Sequence, residues 1–181
     1  ELVFTTAYTG YEESITDPSY KGHILTFAYP LIGNYGVKET RLESSEPQCE
    51  AVIAREVTDE LAEWLETHGC TVVDNVDTRG IVRKVRDSGV LNCGISAGRK
   101  ATVENAKDRL FNCTPISKRT NIWDKTGVNS SFTHTPDSTQ NNRAKISLID
   151  CGAKKSIIEA LVNEGAVVEQ LPYNVTVDQI R

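Results

Sequence analysis

Residues 145–171 constrain the fold more than any other stretch. Lys145-Ile-Ser-Leu-Ile149 reads as a short strand and Asp150-Cys-Gly-Ala153 as a turn. A helix follows with Ile157, Ile158, Leu161 and Val162 on one face, Gly165 closes it, and Ala166-Val-Val-Glu-Gln-Leu171 is a second strand. Two strands joined through a helix run parallel with a right-handed crossover. Parallel sheets are covered on both faces, and one helix covers only one of them. This βαβ unit is therefore expected to open an α/β domain that is truncated at Arg181.

Upstream the same alternation recurs. Leu2–Thr6, His23–Ala28, Ala51–Ala54, Thr71–Asp74 and Asn92–Ala97 read as strands, rich in β-branched and apolar residues. Thr58–His68, Thr78–Ser88 and Ala101–Leu110 read as helices. In the first, Thr58 can cap the start, acidic side chains suit the first turn and Gly69 can end it. In the second, Asp77 or Thr78 caps the start and Arg79 is expected to pair with a nearby carboxylate. Its basic residues, Arg79, Arg83, Lys84 and Arg86, sit among Ile81, Val82 and Val85 at helical spacing. That pattern is the polar face of an amphipathic helix rather than a phosphate-binding patch. From Ile116 to Asn142 Ser, Thr, Asn, Asp and Pro replace the periodic pattern. The expected organisation is a domain over 1–115, a linker over 116–143 and the start of a second domain over 144–181.

A net charge of −5 over 181 residues argues against a nucleic-acid partner. No apolar run approaches the roughly 20 residues that cross a bilayer, and no signal peptide is visible, so neither membrane insertion nor secretion is expected. Five cysteines, at 49, 70, 93, 113 and 151, are odd in number and form no CxxC pair, which suits free thiols in a reducing cytoplasm. His23, His68 and His134 lack metal-ligand spacing, so no metal site is expected. The chain has no methionine and opens directly on Leu2-Val3-Phe4, as expected for a fragment.

The candidate binding surface is Thr9-Gly-Tyr-Glu-Glu-Ser-Ile-Thr-Asp-Pro-Ser-Tyr20, too polar and turn-rich for a core element. Pro18 fixes its own backbone and pushes Asp17 towards an extended shape, so Asp17-Pro18-Ser19 is a stiff turn presenting a hydroxyl. Ser19 then either binds a ligand or merely caps that turn. Glu12 and Glu13 are adjacent and would point to opposite faces of an extended chain, which disfavours a carboxylate pair for acid/base work. Cys151 sits where nucleophiles often do, between a strand and a helix. No histidine lies in its segment, and it reads as a small apolar residue at a strand end. Asp150–Lys154 lacks the glycines and the length of a phosphate loop.

Thr9–Tyr20, with Tyr29-Pro-Leu-Ile-Gly-Asn34 downstream, resembles the amino-terminal domain of carbamoyl phosphate synthetase small subunits. Val76-Asp-Thr-Arg79, Gly94-Ile-Ser-Ala-Gly98 and Asp150-Cys-Gly-Ala-Lys154 extend the resemblance over most of residues 1–171. Around Glu56-Val57-Thr58 the chain is several residues shorter than that family. The resemblance implies a three-layer β/β/α domain, a linker and the opening of a class I glutamine amidotransferase domain. It implies that Ser19 helps hold substrate L-glutamine, that Thr9, Gly10, Tyr11, Asp17 and Pro18 support it, and that Lys154 lies near the ammonia exit.

The family's nucleophilic cysteine belongs to a later G-x-C-x-G elbow, with His and Glu partners later still, and none of these occurs before Arg181. No catalytic residue and no cofactor is therefore expected within these residues. The implied partner is the large subunit, which would hold ATP with Mg2+ or Mn2+ in a cytoplasmic ligase of arginine and pyrimidine biosynthesis. Two rivals are an ammonia-dependent paralogue with an inactive amidotransferase domain and a non-catalytic interaction domain.

Overall fold

The computed structural model describes residues 1–99, 101–119, 122–137 and 144–180, and the chain divides into two compact units, Glu1–Arg119 and Thr120–Arg181. The first unit runs β1 (Leu2–Thr5), α1 (Tyr11–Thr16), β2 (Ile24–Phe27), β3 (Leu31–Ile32), β4 (Ala51–Ile53) and β5 (Glu56–Val57). It continues with α2 (Asp59–Thr67), β6 (Thr71–Val73), α3 (Thr78–Ser88) and α4 (Val103–Asn112). Four strands form one parallel sheet in the order β1-β2-β4-β6, and β3 and β5 pair separately, also in parallel.

Strand alternation sorts the side chains. Leu25, Phe27, Val52 and Ala54 face one way and Ile24, Ala51 and Ile53 the other. The first face is covered by Tyr11 and Ile15 of α1, Leu61 and Leu65 of α2, and Ile32 and Val57 of the small sheet. Ile81 of α3 packs on the second face, with Leu2, Cys93 and Ile95. Leu25, Leu61 and Leu65 are wholly buried; burial of such side chains contributes about 1.5–3 kcal/mol each. A parallel sheet covered on both sides is the α/β class expected from the sequence. α1, α2 and the small sheet all contribute to the core on one face of this sheet.

Several local expectations need correction. Thr9–Tyr20 is no open loop: it contains α1, with Tyr11, Glu12, Ile15 and Thr16 buried. Its polar groups can be buried because residues 35–44 supply partners for them. Asn92–Ala97 forms no strand, and only neighbouring Leu91 bridges Leu2. Gly94 instead lies against α4, so close that an added β-carbon would overlap the Ala106 carbonyl oxygen. Thr58 stands at the N-cap of α2 but its hydroxyl caps nothing and is buried without a partner, while Asp77 does cap α3, accepting from Gly80 N at 3.0 Å. Arg79 makes no ion pair among the described residues. Residues 56–58 run from β5 directly into α2.

The second unit holds α5 (Trp123–Thr126), β7 (Phe132–His134), β8 (Lys145–Asp150), α6 (Lys155–Asn163), β9 (Val167–Pro172) and α7 (Val177–Ile180). β8 and β9 are parallel across the whole of Lys145–Asp150, with Ile158 of α6 and Val168 of β9 in the small core. This is the expected βαβ unit. The stretch read as a linker is partly structured: β7 joins the sheet antiparallel to β9, and α5 precedes it. The segment is drawn in because Val128 N donates to the buried carboxylate of Asp150 at 3.0 Å. Residues 120–121 and 138–143 of that stretch lie outside the described residues.

Candidate functional site

α1 is too short to be stable by itself and is held by side chains on both sides of it. Tyr11 is 3% exposed, and its ring stacks on Tyr35 with centroids 4.3 Å apart. The Tyr11 hydroxyl donates to the Gly36 carbonyl at 2.6 Å and accepts from Tyr35 N at 3.3 Å. Tyr35 returns the contact, its hydroxyl accepting from Gly10 N at 2.7 Å. Burial first of all pushes the Tyr11 phenol up to about 12, so it is a neutral donor at ordinary pH.

Glu12 is wholly buried. Its Oε1 accepts from Lys38 N at 3.0 Å, and Arg41 Nη1 stands 3.6 Å from its Oε2. The Arg41 guanidinium also lies 5.1 Å from the centre of the Tyr35 ring. One turn on, the Thr16 hydroxyl donates to the Glu12 carbonyl at 2.7 Å and accepts from Glu43 N at 2.8 Å. The Thr16 carbonyl accepts from the Ser44 hydroxyl at 2.6 Å. Glu12 is therefore a structural anchor: a carboxylate committed to a backbone amide and a guanidinium is poorly placed to shuttle protons. The extended geometry expected for Glu12-Glu13 is corrected, since the pair lies in α1.

The helix delivers Asp17 to the next turn in an extended conformation, with φ −67° and ψ 119°. Asp17 Oδ1 accepts from Ser19 N at 2.9 Å, Tyr20 N donates to the Asp17 carbonyl at 3.0 Å, and Pro18 is buried. This 3-10 turn holds Ser19 exposed, and among the described residues nothing engages its hydroxyl. Thr9 is exposed as well. The structure thus brings Gly10 and Tyr11 together with residues 35–36, and gathers Asp17, Pro18 and Ser19 in one turn. Lys154 belongs to the second unit, at the N-cap of α6. Sequence reasoning missed Thr16, Tyr35 and Arg41, whose roles arise from a pairing across some 25 residues that no local pattern announces.

In the second unit the missed feature is Asp150, 2% exposed at the end of β8. Its Oδ1 accepts from Gly152 N at 2.8 Å and Ala153 N at 2.7 Å; its Oδ2 accepts from Val128 N at 3.0 Å and Gln170 Nε2 at 2.7 Å. With its amide nitrogen on Asp150, Gln170 turns its oxygen to His134 Nε2 at 2.9 Å, so that nitrogen carries the proton. Cys151 is exposed, not packed as a small apolar residue. Among the described residues no three His, Cys, Asp or Glu side chains gather as a metal site, and no helix is long and apolar enough to cross a membrane. Chemically, the turn at Ser19 can hold and orient a polar ligand, and the neighbouring Asp17 carboxylate is engaged by Ser19 N.

A family model described as carbamoyl-phosphate synthase small chain, CPSase domain, matches residues 1–95. The carbamoyl phosphate synthase small chain of Halobacterium salinarum is 51% identical over 176 residues, 97% of this chain and 48% of the relative. That of Methanocaldococcus jannaschii is 39% identical over 183 residues, 99% of this chain and 51% of the relative. The arginine-specific small chain of Bacillus subtilis is 36% identical over 182 residues, 96% of this chain and 47% of the relative. The chain spans about half the length of the curated relatives it matches.

Proposed function

The chain belongs to the carbamoyl-phosphate synthase small-chain family, and on that footing we propose that it forms part of a subunit that hydrolyses glutamine and hands the ammonia to a large chain. The large chain would use that ammonia with bicarbonate and ATP to make carbamoyl phosphate. Nucleotide and divalent metal would be bound there and not here. The assembled enzyme would work in the cytoplasm, touching neither nucleic acid nor membrane. Within it, residues 1–119 would meet the large chain and complete one wall of the glutamine pocket. Residues 144–181 would open the amidotransferase domain, with Lys154 near the ammonia exit.

The observation that carries the reading is the Ser19 turn. An exposed hydroxyl on a turn fixed by Asp17 and a buried proline, following a helix held by Tyr11, Glu12 and Thr16, has the geometry of a positioning group. Such a hydroxyl donates to a carboxylate or accepts from an ammonium without the cost of burying a charge. Its contribution is binding and orientation; the nucleophile that opens the amide would come from elsewhere in the subunit. The test is Ser19→Phe in the full enzyme. Glutamine-dependent synthesis should fall sharply while synthesis from free ammonia persists. Equal loss with both nitrogen sources would remove the glutamine role from this turn.

A further inference from the structure

α3 presents three exposed arginines, of which Arg79 and Arg83 make no ion pair among the described residues. Arg79, Arg83 and Arg86 follow one another at helical spacings of four and three residues, which places them along one stripe. With Val82 and with Ala28, the residue after β2, they line a groove of about 490 Å³. Among the described residues Arg86 meets only its neighbour Asp87, at 2.8 Å.

A cation in the first turn of a helix opposes the helix dipole, and Arg79 stands there, with the Asp77 carboxylate at the N-cap engaged by Gly80 N. The chain as a whole is acidic, with a net charge of −5, so a concentrated positive stripe runs against its composition. Tyr29 follows Ala28 and is 40% exposed, and Tyr8, just beyond β1, is 74% exposed. β1 and β2 are parallel neighbours, Thr5 opposite Phe27, so Tyr8 and Tyr29 both follow the carboxyl-terminal ends of adjacent strands. Arginine around a small apolar floor suits a protein–protein contact, where arginine is enriched.

We propose that this stripe, with Ala28 and Val82 between its arginines, docks an acidic surface of the large chain. The inference rests on the family reading above and names the face and chemistry of the contact. Guanidinium groups pair with carboxylates in two-pronged fashion, which fixes orientation as well as affinity. The charge contrast also steers encounter, so ionic strength acts chiefly on the association rate.

The experiment measures binding of the full-length small chain to the large chain by surface plasmon resonance at low and high ionic strength. Arg79→Glu/Arg83→Glu should raise Kd by about tenfold or more, mainly through slower association, and flatten the salt dependence. Lys107→Glu, a charge reversal on α4, should leave Kd unchanged. Arg79→Gln/Arg83→Gln removes charge without repulsion and should show a smaller loss in the same direction, which keeps the test valid if the double glutamate variant does not fold. Wild-type affinity in both arginine variants overturns the docking face while the family reading stands. Failure of the unaltered chain to bind any large chain overturns both. Binding of a labelled DNA duplex that depends on Arg79 and Arg83, with subunit assembly intact, also overturns it.

Discussion

Gly33 offers a direct test of how the site loop is held. It sits just past β3 with φ +97°, and a β-carbon there would overlap Thr58 Oγ1 and come within 2.9 Å of Leu61 Cβ. Gly33→Ala therefore carries two costs. Forcing alanine to positive φ costs about 1–2 kcal/mol, partly offset by the lower entropy of its unfolded chain, leaving about 1 kcal/mol. The overlap with α2 adds the cost of overpacking, about 1–3 kcal/mol. Gly69 isolates the first cost, since it has φ +74° and nothing within 4 Å of an added β-carbon. At about 4 °C per kcal/mol for a unit of this size, Gly33→Ala should lower the melting temperature by about 12 °C and Gly69→Ala by about 4 °C.

The overlap is also separable by a double variant. The Thr58 hydroxyl is buried with no hydrogen-bond partner among the described residues, so Thr58→Ala should be nearly neutral and should remove the Oγ1 part of the overlap, while Leu61 Cβ at 2.9 Å and the remaining Cβ at 3.0 Å still crowd a methyl at position 33. Thermal melts by circular dichroism on the four proteins form a double-mutant cycle. The expected coupling is about 1 kcal/mol or more in favour of the double variant. If Gly33→Ala melts within about 2 °C of Gly69→Ala, or if Thr58→Ala gives no relief, the close approach of β3 to α2 does not constrain the loop.

Two further outcomes follow from side-chain environments. The folded Tyr11 phenol sits at about 12 against an ordinary 10.0, chiefly through burial, so the neutral form is the one the fold favours. Its contribution is fully present below pH 10 and is lost as pH rises from 10 through 12; denaturant midpoints should fall over that window, and Tyr11→Phe should flatten the fall, an identical slope in both proteins being the contrary result. Cys49 and Cys70 are 4% and 3% exposed with sulfurs 3.8 Å apart, and the neighbouring Cys70 thiol together with burial pushes the Cys49 thiol well up. Alkylation with peptide mapping should therefore find exposed Cys151 modified first and Cys49 and Cys70 only on unfolding; early labelling of Cys49 would contradict that packing.

What could be read from the sequence, and what could not, divides along a physical line. Segments whose pattern is set by their own neighbours were legible. α3 runs over the expected Thr78–Ser88, and β8, α6 and β9 reproduce the βαβ unit, because periodicity and caps are local signals. Segments whose conformation is decided by distant partners were not. Asn92–Ala97 has strand-like residues, yet Gly94 is claimed by α4 and the ladder stops at one bridge. Phe132–His134 lies in a polar stretch, yet it finds β9 as a partner. The candidate site shows both cases within a few residues. The turn at Ser19 was readable from Asp17 and Pro18 alone. The burial of Glu12 was not, since a lone carboxylate reads as surface until Lys38 N and Arg41 are brought to it. The polar character that made Thr9–Tyr20 look like an open loop is thus the means by which it is fixed. Each of Tyr11, Glu12 and Thr16 spends its polar atoms on residues 35–44, and Ser19, the next hydroxyl along, is left facing outward.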